Sequence, residues 1–113
     1  MSRPCQPIMT TPYGAEPSRE SVQRRPGPSV VEFGTNWCGF CRMAQPVIEQ
    51  GFAAYQHVPR VKVEDGPGQP LGRAFRVKLW PTLIFLKDGA EVARVVRPQD
   101  AAAIADALRA ITT

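Results

Sequence analysis

The sequence predicts an α/β domain, and three observations carry that reading. Strand-like and helix-like stretches alternate along the 113 residues in the order β α β α β α β β α, counting a leading pair. A close cysteine pair, Cys38 and Cys41, falls where a strand hands over to a helix. Asp88-Gly89 between two apolar runs is a hairpin signal that supplies an antiparallel partner late in the chain.

The elements follow in order. Six of the 12 prolines precede residue 29, so residues 1–28 read as a proline-rich leader. Within it, Ile8-Met9-Thr10-Thr11 can pair as a short edge strand, where neighbouring prolines are tolerated. Glu16 to Arg24 reads as a short helix with Pro17 in its first turn, ended by Pro26-Gly27-Pro28. Ser29 to Gly34 is a near-continuous apolar run and reads as a buried strand, with the acidic Glu32 in its middle.

Trp37-Cys38-Gly39-Phe40-Cys41 comes next, then a helix from Arg42 to about Gln56 whose expected core stripe is Met43, Val47, Ile48, Phe52 and Tyr55. Pro46 inside it removes one backbone donor and should bend it, and Gly51 loosens it. Arg60 to Asp65 alternates with period two, as a strand with one buried face does. Gln69 to Phe75 reads as a short helix started by Pro70. Leu83 to Leu86 is an apolar run of central-strand type, and Glu91 to Val96 returns antiparallel to it. A final helix spans Pro98 to about Ile111, with Ile104, Leu108 and Ile111 on one face and Pro98 and Asp100 in its first turn.

Composition narrows the function classes. Hydrophobic residues make up 43% and charged residues 21%, the balance of a globular domain. The length suits one domain that needs no disulfides to hold its core. The net charge is +4, but the bases are scattered without the clustering or interleaved aromatics of a nucleic-acid binder. No run of 18 apolar residues is present, so no membrane span is expected. Residues 1–28 lack an apolar signal region, which makes a reducing cytoplasm the expected compartment. Three cysteines suit a catalytic pair better than a framework of bridges, and Cys5 in the leader is assigned no role. A zinc site is disfavoured, because Cys5, Cys38, Cys41 and His57 include only one close pair. His57 is read instead as a partner for the C-terminal end of the preceding helix.

The chemistry of the pair follows from its position. The first turn of a helix presents unpaired N–H groups and the positive end of the macrodipole, and both stabilise an anion. A thiolate placed there is expected to form at a pH below about 8.5, the value of free cysteine. With two residues between them, the sulfurs can also close a disulfide.

Taken together, Trp37-Cys38-x-x-Cys41 after a strand, Pro46, Pro81-Thr82 opening an apolar strand, the Asp88-Gly89 hairpin and a closing amphipathic helix resemble the thioredoxin family. The resemblance spans roughly residues 29–111, with residues 29–113 as the thioredoxin-like domain and the leader available to supply the first strand and helix. It implies the thioredoxin fold, a central mixed sheet with helices on both faces, and a cis bond between Trp80 and Pro81. It also implies a protein-disulfide oxidoreductase active in electron transport and cell redox homeostasis, in which Cys38 attacks a substrate disulfide and Cys41 resolves the mixed disulfide. Glu32 matches the family's buried aspartate, the base for Cys41. A buried carboxyl there would take up a proton more readily than a solvated one, whereas a Glu on an edge strand would merely face solvent. Trp37, Gly39, Phe40, Trp80, Pro81 and Thr82 match the substrate-binding surface, with Arg42, Arg73, Arg76 and Lys78 either a positive rim or a solvated face.

By the same comparison no cofactor is expected. The expected partners are disulfide-containing proteins and a thiol reductant or reductase, and the expected state is a monomer. A thioredoxin-like adaptor or chaperone without redox turnover is the alternative, and the intact cysteine pair argues against it. Three departures from the family stand out. Phe40 replaces proline between the cysteines, Gly34 replaces an aromatic, and Arg97-Pro98 stands where glycine is usual.

Overall fold

The computed structural model describes residues 11–113 of the chain. Among the described residues four strands form one sheet: β1 (Pro28–Gly34), β2 (Arg60–Glu64), β3 (Thr82–Lys87) and β4 (Ala90–Val96), in the order β2-β1-β3-β4. β2 runs parallel to β1, while β3 is antiparallel to both β1 and β4, so the sheet is mixed. Four helices surround it: α1 (Arg19–Arg24), α2 (Gly39–Gly51), α3 (Pro70–Ala74) and α4 (Ala101–Thr112).

Alternation along the central strands divides the core in two. Val30, Leu83 and Phe85 point to the face covered by α2 and α4, where they meet Ala44, Ile48, Phe52, Ile104, Leu108 and Ile111. Val31, Phe33, Ile84 and Leu86 point to the opposite face, against Val22 of α1 and Leu71 of α3. β1 and β3 are buried on both faces, which is why their sequences read as continuous apolar runs. The Asp88-Gly89 turn has φ of 52° and 82°, the two positive values that a two-residue hairpin needs.

Several sequence expectations shift. Residues 1–10 lie outside the described residues, and with them Cys5 and most of the expected edge strand; nearby, Gly14 makes a single parallel bridge to Val63. Ser18 caps α1, with its hydroxyl accepting from the Ser21 N–H at 3.0 Å, so Pro17 precedes the helix and does not start it. Asp100 caps α4 in the same way, accepting from the Ala103 N–H at 3.0 Å, and Pro98 lies before that cap.

α2 begins at Gly39 and ends at Gly51, earlier at both ends than its apolar periodicity suggests. Its buried face is Cys41, Ala44, Gln45, Ile48 and Gly51, whereas Met43 is 75% exposed. Ile48 and Phe52 of the expected stripe are core residues and Tyr55 packs against them, while Met43 falls outside it and α4 approaches closely at Gly51. A Cβ at Gly51 would overlap the Ile104 side chain. β2 also departs from its period: Lys62 and Val63 are buried in succession, one towards each face. His57 lies beyond the end of α2, its ring centroid 6.3 Å from that of Tyr55.

Candidate functional site

Cys38 is the N-cap of α2, in extended backbone. Its Sγ accepts from the Cys41 N–H at 3.3 Å, so the sulfur occupies the place that an oxygen of Ser or Asp usually takes at a helix start. Gly39 and Phe40 are the next two positions of the first turn, where backbone N–H groups have no intrahelical acceptor. The residue is more covered than its place at a helix end suggests, at 8% exposure. Trp80 packs against the cluster that contains both cysteines, and Trp37 stands edge-on to Trp80 with ring centroids 5.7 Å apart.

Cys41 is one turn deeper and 1% exposed. Burial pushes its thiol up to about 12, and the Cys38 sulfur beside it adds to that rise. Both cysteines are free thiols.

The Trp80-Pro81 bond is cis, as expected. Its loop is tied down from several sides. Trp80 Nε1 donates to Asp65 at 2.9 Å, Thr82 Oγ1 to the Leu79 carbonyl at 2.6 Å, and the Arg97 backbone N–H to the Pro81 carbonyl at 2.9 Å. Thr82 is therefore turned inward, and its hydroxyl has no share in the surface. Trp37, Phe40 and Leu79 remain exposed. Arg97, at φ 49°, takes the left-handed backbone for which glycine is better suited. Its Nε donates to the Trp80 carbonyl at 2.8 Å and its guanidinium lies 3.8 Å from the centroid of Phe40. Two of the departures noted in the sequence, Phe40 and Arg97, thus contact each other.

Glu32 is fully buried in β1, with a strand on each side. Alternation places it on the α2 face, and the β1–β2 register puts Lys62 beside it and Arg60 one pair along on that face. From α2, Gln45 and Glu49 reach the same cluster, four and eight residues after Cys41 and so on one stripe. An acid in an apolar strand needs partners, and this carboxylate has them. Arg60 donates to Oε1 from Nε at 3.2 Å and from Nη2 at 3.0 Å, Gln45 Nε2 donates to Oε2 at 2.9 Å, and the Tyr13 hydroxyl donates to Oε2 as well. Lys62 donates to Gln45 Oε1 at 2.8 Å, and burial lowers the pKa of its ammonium.

Sequence reasoning missed Tyr13, Gln45, Arg60 and Lys62. The two bases were legible as β2 residues of one face, but nothing local ties Tyr13 to Glu32. Arg42, Arg73, Arg76 and Lys78 are all exposed.

This arrangement defines a dithiol protein, with one sulfur at a helix start, a second buried beside it and a carboxylate network beneath. Residues 13–110 match the family model for thioredoxin. The chain belongs to the thioredoxin family and is a thiol-disulfide oxidoreductase. It is similar to thioredoxin 2 of Pseudomonas aeruginosa PAO1, solved in its reduced form, with 52% identity and a TM-score of 0.81 over 91% of this chain and 96% of that one. A mutant thioredoxin of Halobacterium salinarum NRC-1 is 30% identical, with a TM-score of 0.72 over 90% and 91% of the two chains. A thioredoxin of Chlamydia pneumoniae is 41% identical over 71 residues, 63% of this chain and 70% of the relative. Among the described residues no helix is long and apolar enough to cross a membrane.

Proposed function

We propose that Cys38 is the attacking thiol and Cys41 the resolving thiol in the reduction of disulfides in protein substrates. One observation carries the assignment: the Cys38 sulfur caps α2 and receives a first-turn N–H, while Cys41 lies buried behind it with its thiol held protonated. An anion is stabilised at the first position and penalised at the second, so the two sulfurs act in order. The Cys38 thiolate attacks one substrate sulfur, forming an S–S bond to it and expelling the other as a thiolate. Cys41 then loses its proton and attacks Cys38, and the substrate leaves as a dithiol while the protein holds the Cys38–Cys41 disulfide.

Glu32 is the base that ultimately takes the Cys41 proton. Trp37, Gly39, Phe40, Trp80 and Pro81 form the surface on which the substrate segment lies, with Thr82 holding the loop from beneath. A thiol reductant or a reductase returns the disulfide to the dithiol. We place this exchange in the cytoplasm, where a monomer carries electrons from that donor to oxidised proteins.

Reduction of insulin disulfides tests the order of the thiols. Cys38→Ser is expected to abolish turnover, and Cys41→Ser to accumulate a mixed disulfide at Cys38 that mass spectrometry identifies. Turnover persisting in Cys38→Ser, or trapping at position 41 instead, would reverse the assignment.

A further inference from the structure

We propose that the Tyr13 hydroxyl is a proton relay between the Cys41 thiol and the Glu32 carboxylate, a role that rests on Cys41 being the resolving thiol. The four hydrogen bonds to the carboxylate among the described residues come from Tyr13, Gln45 and Arg60, none of them from Cys41. Among the described residues no hydrogen bond therefore joins the base directly to the thiol it must deprotonate. Tyr13 reaches both sides, hydrogen-bonded to the carboxylate and packed in one cluster with the cysteines. Its ring is buried at 6% exposure and packs with Cys38 and Cys41, while its hydroxyl donates to Glu32 Oε2 and accepts from Gln45 Nε2 at 3.2 Å.

Gly34 makes the approach possible. The point where a Cβ at Gly34 would stand is 2.7 Å from Cys41 Sγ and 2.8 Å from the Tyr13 hydroxyl oxygen. Any side chain there would collide with both the sulfur and the hydroxyl. Loss of the aromatic that the family resemblance leads one to expect at position 34 is thus offset by an aromatic from the start of the chain, and this one carries a hydroxyl. Its placement is fixed by the Gly14–Val63 bridge, which turns Tyr13 to the α2 side of the sheet, beneath the Lys62 ammonium at 4.6 Å from its ring centroid.

The charged and titratable groups around the relay are Glu32 from β1, Arg60 and Lys62 from β2, and Cys38, Cys41 and Glu49 from α2. Burial and the Glu32 charge push the tyrosine well above its ordinary range, so Tyr13 cannot serve as a stored base. It can pass a proton on only if it receives another. In the resolving step the Cys41 S–H bond breaks as the tyrosine oxygen takes that proton, and the tyrosine's own proton moves to Glu32 Oε2. The freed pair on Cys41 forms the bond to Cys38 Sγ. The bond between Cys38 and the substrate sulfur breaks, and that sulfur leaves with its pair and takes a proton from solvent.

The reaction of the reduced protein with 5,5′-dithiobis(2-nitrobenzoate) separates the two steps in stopped flow. The first equivalent of released thionitrobenzoate reports attack by Cys38 and the second reports resolution by Cys41. Tyr13→Phe keeps the ring and is expected to leave the first phase unchanged while slowing the second on the order of 10²-fold near pH 7. The deficit should narrow as pH rises towards about 12, where Cys41 ionises without help. A second phase with the wild-type rate and pH profile, or a loss equal at every pH, overturns the relay. If Tyr13→Phe fails to fold, the wild type decides. Two protons in flight give a curved dependence of the second phase on deuterium fraction, and a straight line overturns the proposal. Cys41→Ser, run alongside, should release only the first equivalent; release of both would refute the role of Cys41 itself, whatever Tyr13 does.

Discussion

Phe40 lies at the second position of α2, next to the sulfur that caps the helix, and it keeps a backbone N–H that proline would lack. A free donor at a helix start stabilises an anion nearby, so Phe40 favours the thiolate and with it the reduced form. The Arg97 guanidinium stacked on its ring adds positive charge on the same side. The pair is therefore expected to be more oxidising than thioredoxin's roughly −270 mV, in the range of about −230 to −180 mV. Phe40→Pro should move it towards the lower value. Equilibration with glutathione checks both, and a wild-type potential at or below roughly −270 mV would remove the argument. At this scale the sequence named Cys38, Cys41, Glu32 and Phe40 from the pair's place at a helix start and an acid in an apolar strand. It could not name Tyr13, because its contact with Glu32 joins residues 19 apart in sequence and depends on an empty position, Gly34.

Among the elements, the β3–β4 hairpin shows how a local signal acquires a tertiary duty. Asp88-Gly89 was legible as a turn from the dipeptide alone. The structure adds that this turn docks on the segment after α1: the Asp88 N–H donates to the Gly27 carbonyl at 2.9 Å, and the Gly27 N–H donates to Asp88 Oδ1 at 2.7 Å. A Cβ on Gly89 would overlap the Gln23 carbonyl, on backbone that cannot yield as a side chain can. Positive φ and overpacking both oppose Gly89→Ala, which should lower stability by roughly 2–4 kcal/mol in urea unfolding. The site should be spared, since the turn lies at the opposite end of β3 from Pro81. A loss under about 0.5 kcal/mol, the scale of an ordinary surface change, would mean that this docking contributes nothing.

At the scale of the whole molecule, the buried thiol of Cys41 makes the reduced protein sensitive to alkali. Burial raises its pKa from the free-thiol range of about 8.5 to 9.0 up to about 12 in the folded chain. At pH below 9.0, Cys41 holds its proton in both the folded and the unfolded chain, and its contribution to stability is complete. Between there and about 12 the unfolded chain loses the proton first, so stability falls as pH rises. Chemical denaturation of the reduced protein across that window should show a steeper decline than Cys41→Ala shows. Parallel declines would mean that the thiol ionises as freely when folded as when unfolded.

What the sequence determined by itself was the order of elements from α1 onward, the two-faced burial of β1 and β3, and the cysteine pair at a helix start. These rest on short-range rules: side-chain period, turn chemistry, and the free N–H groups that follow any helix cap. Tertiary structure alone decided that Met43 lies outside the buried face of α2, how Glu32 is satisfied, and what occupies the space before Gly34. Each of those depends on groups far apart in the chain arriving at one point, where hydrogen-bond reach and excluded volume select the partner. No local pattern encodes that meeting, because its geometry exists only once β1, β2 and α2 have packed.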